Sequence, residues 1–180
     1  WPFVQEKKNT PIVATSTGCS LHLKQYGELL ADDPVFAEKA HVVSSLVRDP
    51  AECIQINKLQ PEIAKIDSRE KVHFQCPCTL QHGQKLGGRV EDLLIGLGFK
   101  IQIGSEHHMC CGSAGTYSLF HSETANVLRK RKLADLDHEK ANFIVTANVG
   151  CQIHLAQGTN VPVLHWLELL QKKLRSEETL

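Results

Sequence analysis

Phe143-Ile-Val-Thr-Ala-Asn-Val-Gly-Cys-Gln-Ile-His-Leu155 is the stretch on which the fold turns. Phe143 to Ala147 is a short apolar, β-type run, and Gly150-Cys151 follow where a strand would give way to a loop and a short helix. A second stretch, Pro11-Ile-Val-Ala-Thr-Ser-Thr-Gly-Cys-Ser-Leu-His-Leu23, repeats the arrangement, the shared pattern being Gly-Cys-x-[Leu/Ile]-His-Leu. Two copies of one supersecondary unit are therefore expected. Ten residues precede the first copy, so the chain is expected to begin late in repeat one, as the remnant 1–60, and to hold repeat two nearly whole, as a domain over 61–180. Leu59 to Arg69, with Pro61, Asp67 and Ser68, reads as the linker.

Working outward, the second unit alternates strand and helix. Lys71-Val-His-Phe-Gln75 reads as a strand. Val90, Leu93, Leu94 and Leu97 recur on one helical face, and Gly98 stands where a helix end takes a left-handed residue. Phe99, Ile101 and Ile103 alternate with polar residues as in a half-buried strand. Ser122 to Leu136 reads as a helix with Ser122 as N-cap. Val161 to Leu164 leads into a last helix carrying Leu167, Leu170 and Leu174. The expectation is an α/β layered fold, a mostly parallel sheet with flanking helices.

Composition narrows the function. The 180 residues carry 20 basic and 20 acidic side chains, so net charge gives no reason to expect nucleic acid. No apolar run is long enough for a transmembrane helix. The N-terminus lacks the order of a signal peptide and an initiator Met, so a piece of a longer, cytoplasmic polypeptide is expected. Seven cysteines, without an export signal, read as metal or redox chemistry rather than disulfides. Gly-x-Ser-x-Gly, His-Glu-x-x-His and Gly-x-Gly-x-x-Gly patterns are all missing.

Three cysteine sites sit at strand exits: Cys76-Pro-Cys78, Cys110-Cys111 and Cys151. In open α/β sheets these carboxyl ends are where ligands bind, so the three are expected to converge. Gly112, Gly115 and Gly150 allow close backbone approach. Thiolates prefer iron or zinc to hard cations, and vicinal cysteines suit neighbouring metal atoms better than one tetrahedral zinc. His154, three residues after Cys151, is a further candidate ligand. Cys19 matches Cys151 through the repeat. It is expected to be an unligated thiol here, on a loop packed near Cys110 to Gly115, while contributing to a second or shared site in an intact subunit. Cys53 reads as a helix-core residue, and His41, His121 and His138 as solvated. His107-His108 is either surface or supporting shell. Arg129 to Lys132 reads as a solvated helix face.

Cys78, Cys110-Cys111-Gly112 and Gly150-Cys151 together resemble the CCG cysteine-rich family found in heterodisulfide reductases and in glycolate- and lactate-oxidising systems. Cys76-Pro-Cys-Thr-Leu-Gln-His82, Cys110-Cys-Gly-Ser-Ala-Gly-Thr-Tyr117, Ala147-Asn-Val-Gly-Cys151 and Val163-Leu-His-Trp-Leu-Glu-Leu169 look more narrowly like glycolate oxidase iron-sulfur subunits. The resemblance implies a non-catalytic electron-transfer subunit of an oxidoreductase, inactive alone. It implies electrons passing from FAD-containing subunits that oxidise glycolate to glyoxylate toward a quinone or membrane acceptor, in the cytoplasm or peripheral on the inner membrane. It implies an iron-sulfur cluster of the [4Fe-4S] class on Cys78, Cys110, Cys111 and Cys151, with Cys76 as a fifth candidate. Heterodisulfide reductase ends the motif Cys-x-x-Cys, where this chain has His154. The alternative is a structural or docking module whose cysteines hold zinc or nothing.

Overall fold

Val72, His73, Phe74 and Gln75 are all buried, which is the signature of a strand covered on both faces. The computed structural model describes residues 1–6, 9–56 and 70–177; the expected linker, and with it the boundary between 60 and 61, lies outside the described residues. In chain order the elements are α1 (Pro2–Glu6), β1 (Ile12–Val13), α2 (Thr17–Lys24), α3 (Tyr26–Leu29), α4 (Ala37–Leu46), β2 (Val47–Arg48) and α5 (Pro50–Ile56). There follow β3 (Lys71–Gln75), a π turn (Thr79–Gly83), α6 (Arg89–Gly96), β4 (Lys100–Ile103), α7 (Tyr117–Phe120) and α8 (Ser122–Asp135). A 3-10 turn (His138–Lys140), β5 (Phe143–Thr146), α9 (Val149–Ala156), β6 (Val163–His165) and α10 (Trp166–Glu177) complete the chain.

All strand pairs are parallel, as the alternating pattern predicted: β1 pairs with β2, and a four-stranded sheet runs β4-β3-β5-β6. Alternation within β5 divides the core. Val145 faces a cluster with Phe74, Leu93, Leu94, Trp166 and Leu169, while its neighbour Ile144 faces Leu133, Leu155 and Val163. Helices α6 and α10 thus cover one face and α8 and α9 the other, the expected layered α/β architecture. Register aligns Phe74 with Ile103, Gln75 with Thr146, and Thr146 with His165. The carboxyl ends of the four strands form one edge.

The two similar stretches share a local strand-loop-helix arrangement, and the likeness extends further than the sequence pattern. Ile12 pairs with Val47 as Ile144 pairs with Val163, residues that correspond under the repeat. Helices α2 and α9 both span eight residues, start from an extended N-cap (Ser16, Asn148), and carry Gly second and Cys third. The next units match too. In α5, Ala51 N–H donates to Asp49 Oδ1 at 3.0 Å and Glu52 Oε2 accepts from Asp49 N–H at 2.7 Å. In α10, Leu167 N–H donates to His165 Nδ1 at 3.3 Å and Glu168 Oε2 accepts from His165 N–H at 2.7 Å. Both are capping boxes at the same place in the unit.

Several expectations need correction. Ser122 is the first residue of α8, whose N-cap is His121. The helix near Cys151 starts two residues earlier, at Val149, so Cys151 lies inside its first turn. Ile103 is exposed because β4 is an edge strand. Arg129 to Lys132 is a solvated face only in part: Lys130 and Arg131 are exposed, but Lys132 is only 2% exposed and Arg129 is half-buried. Gly98 does adopt the expected left-handed backbone, at φ 99.

Candidate metal centre

The site is built at the shared strand edge. Pro77 ends β3 sharply, and its carbonyl accepts from Leu80 and Gln81 N–H, so Cys78 is delivered at the start of the π turn. Cys110 and Cys111 arrive on the loop after β4. That loop is pinned by Asp135 of α8, which accepts from Ser105 Oγ at 2.9 Å and from Glu106 N–H at 2.8 Å. Gly104 is obligatory, since a Cβ there would stand 2.1 Å from Asp135 Oδ2. Lys132 donates to the Glu106 carbonyl, Arg131 clasps the Glu106 carboxylate, and the His82 ring donates to the His108 carbonyl at 3.1 Å. Sequence reasoning missed this clamp; its one legible signal was Lys132 and Asp135 at i,i+3 on a helix.

Gly112 then turns the chain at φ 96, and its N–H donates to Cys110 Sγ at 3.3 Å. A Cβ here would lie 2.5 Å from the Ala125 carbonyl and 3.1 Å from His154 Nε2. Gly115, also left-handed at φ 60, is needed for conformation rather than space, for nothing lies within 4 Å of its Cβ position. Gly150 packs against Ser113, whose Oγ is 3.1 Å from the Cβ position. Cys151 comes from the first turn of α9, whose N-terminal dipole favours negative charge on sulfur.

Four of the candidate sulfurs form one string: Cys78 reaches Cys110, Cys110 reaches Cys111, and Cys111 reaches Cys151. Hydrogen bonds from Cys111 and Cys78 hold the Cys110 thiol far below the ordinary thiol range, with the Gly112 N–H adding to the effect. The same contacts push Cys111 and Cys78 up. Among the described residues no three Cys, His, Asp or Glu side chains converge around a single ion. A string of thiols with a glycine cradle and a helix N-terminus fits a group of several metal atoms, each taking its own sulfur, better than one tetrahedral zinc. His154 is buried beside this string, and its Nε2–H donates to the Ala125 carbonyl at 3.2 Å, an orienting bond of the kind that ligand histidines make.

Cys76 is kept apart. Burial and the carboxylate of Glu91, to which its S–H donates, push this thiol up, and it packs in the opposite core cluster with Leu80 and Val90. Cys19 is exposed on α2. Its helix packs on the π turn and on Asn148, through Thr17 Oγ1 and Thr79 Oγ1 at 2.7 Å and Ser16 Oγ donating to Asn148 Oδ1 at 2.8 Å. Cys53 is half-buried on α5. His41 and His121 are exposed as expected, whereas His138 is half-buried against Thr159; His107 and His108, for which both readings were open, are exposed.

A string of cysteines at the carboxyl edge of a parallel sheet is what a cysteine-rich metal domain would present, and comparison with known families agrees: residues 72–156 match the model of the cysteine-rich domain CCG. Over 98% of its length the chain is 42% identical to the glycolate oxidase iron-sulfur subunit of Escherichia coli (strain K12), spanning 43% of that protein. It is 27% identical to the probable glycolate oxidase iron-sulfur subunit of Bacillus subtilis (strain 168), over 82% of this chain and 33% of that one. It is 26% identical to lactate utilization protein A of the same strain, over 90% of this chain and 70% of the relative. The chain thus spans less than half the length of the two iron-sulfur subunits it matches. Among the described residues, no helix is long and apolar enough to cross a membrane.

Proposed function

We propose that this chain is part of an iron-sulfur electron-transfer subunit of a glycolate-oxidising complex. Residues 1–60 belong to a first cysteine-rich repeat and 61–180 form the second. The string Cys78-Cys110-Cys111-Cys151 carries the proposal, because four thiols each touching the next suit a metal group of several atoms. These residues would hold a [4Fe-4S] cluster, and His154, the Gly112 N–H that donates to Cys110 Sγ and the N-terminus of α9 would favour the negative charge it brings. When bound, the cluster supplies one-electron storage. The chain's own groups supply thiolate charge, hydrogen bonds and a site dry on the Cys111 and Cys151 side. Electrons would come from an FAD-containing partner that oxidises glycolate to glyoxylate and leave toward a quinone-type acceptor, in the cytoplasm or at the inner membrane surface. The names of the relatives support this reading.

The test is iron, sulfide and zinc analysis of the full-length protein purified without oxygen. Iron and sulfide are expected in equal amounts and should fall severely in Cys110→Ser and Cys111→Ser but not in Cys53→Ser. Zinc in place of iron, or a full metal content in Cys111→Ser, would overturn the proposal. This chain alone should not turn over glycolate with an artificial acceptor.

A further inference from the structure

Helix α2 owes its burial to the other half of the chain. One of its faces packs on the π turn from Thr79 to Gly83. Thr17 Oγ1 lies 2.7 Å from Thr79 Oγ1, and Ser20 Oγ donates to Gln84 Oε1 at 3.3 Å. Leu21 fills the space beside Gly83, where a Cβ would stand 2.4 Å from Leu21 Cδ2. Thr17 and Ser20 are fully buried in consequence. Helix α9, the equivalent of α2, packs on β5, β6 and α8. Its first and fifth residues, Val149 and Ile153, take the places of Thr17 and Leu21 and are 47% and 58% exposed. Four residues apart on a helix, they form one apolar ridge. A paired aliphatic ridge left in water, where the equivalent face is covered, marks a surface that lacks its partner.

The seam between the halves says what that partner is. Ser16 Oγ donates to Asn148 Oδ1 at 2.8 Å, and these two are equivalent residues, the N-caps of α2 and α9. The ring of His165 lies against the backbone of both Thr15 and Ala147, a second pair of equivalents. Contact between like residues is the mark of a two-fold arrangement, in which each contact has a mate with the roles exchanged. The mate of α2 on the second unit's π turn is α9 on a corresponding turn of the first unit. A second copy of this chain does not supply that turn, because α2 already covers the one it carries.

We propose that the Val149 and Ile153 face of α9 docks a turn of the first cysteine-rich unit, supplied by the part of the full-length protein that precedes Trp1. The proposal rests on the reading of residues 1–60 as the end of a first repeat, and not on the cluster. The two side chains specify the turn. Ile153 stands where Leu21 stands, so the turn carries glycine in the place of Gly83. Val149 has no hydroxyl to match that of Thr17, so an apolar residue takes the place of Thr79, four positions before the glycine.

The experiment uses the full-length protein under argon, with hydroxyl-radical footprinting by X-ray radiolysis read out by mass spectrometry. Ile95 of α6 is 54% exposed and serves as the internal standard, being the same residue as Ile153 at nearly the same exposure. Ile153 should escape oxidation under conditions that oxidise Ile95. A diazirine-bearing aliphatic amino acid is then installed in place of Ile153. Irradiation should cross-link it within the same polypeptide, to a segment upstream of Trp1 that holds the apolar residue and the glycine. Ile153 oxidised as readily as Ile95 would overturn the proposal. A cross-link to another polypeptide would also overturn it and leave the two-repeat reading standing. A cross-link to an upstream segment without that glycine would overturn the two-repeat reading as well.

Discussion

Gly112 shows how little freedom the vicinal thiols have. A side chain there meets a carbonyl at 2.5 Å and must also hold φ at 96, a backbone that L residues rarely adopt. Gly112→Ala should destabilise the fold by about 2–3 kcal/mol, read as a lower urea midpoint, and should lower metal content alongside it. A midpoint within about 0.5 kcal/mol of wild type would mean that the turn relaxes and that the cradle is not rigid. Cys76 offers the opposite case. Its S–H faces Glu91 rather than the string, so Cys76→Ala should keep its iron while Cys78→Ser loses it. At this scale the cysteines were legible because glycine and proline flank them. The orienting bond of His154 and the diversion of Cys76 were not, because each depends on a partner well away along the chain, Ala125 for one and Glu91 for the other.

Helix α8 touches the cysteine site at one end, through the Ala125 carbonyl, and at the other through the loop it anchors. Lys132 and Asp135 are 2% and 5% exposed at their side chains and 3.4 Å apart, an ion pair that also bonds the loop backbone. Removing one partner leaves the other charge buried, so Lys132→Ala should cost about 3 kcal/mol in urea unfolding, and Asp135→Asn should also loosen the Cys110 loop. The capping box of α5 makes a second prediction. Burial raises the Asp49 carboxyl to about 6, because Oδ2 has no partner. The folded state therefore holds this proton more tightly than the unfolded chain, whose carboxyl titrates near about 3.9. The resulting stability is fully present below about pH 4 and is lost as pH rises through about 6. Asp49→Asn should flatten that slope and gain about 2 kcal/mol near neutral pH. A variant that keeps the wild-type slope would show that another group titrates there. Strands and the α6 and α8 helices were legible from periodicity. The burial of Lys132 was not, since a basic run reads the same whether water or a loop lies beyond it.

The two halves of the chain are alike in register, cap and cysteine position, yet only the second brings its cysteines into a string. The sequence pattern exposed the repeat at Cys19 and Cys151 but not at Asp49 and His165, where the capping role is shared by different side chains. Between the halves, Ser16 bonds Asn148, Gln84 Nε2 donates to the Thr17 carbonyl at 3.1 Å, and Thr17 N–H donates to the Ala147 carbonyl at 3.2 Å. Ala51 of α5 is fully buried within the same apolar cluster as Val72 and Trp166. The halves share a core, so calorimetry should resolve one transition. Two separable melting steps would show that the seam is weaker than its hydrogen bonds suggest.

That shared core has a practical consequence for anyone who cuts the polypeptide. Severing the backbone between α5 and β3 would break a covalent link but not the seam, and Ala51 would still be lodged in the second half. The two pieces should travel together through a sizing column and part only in denaturant. Expressing the second half by itself would instead uncover the apolar surface that Ala51 covers and leave Asn148 and Thr79 without their hydroxyl partners. Production of this cysteine-rich half should therefore carry α2 to α5 with it, as a companion without which it is sticky.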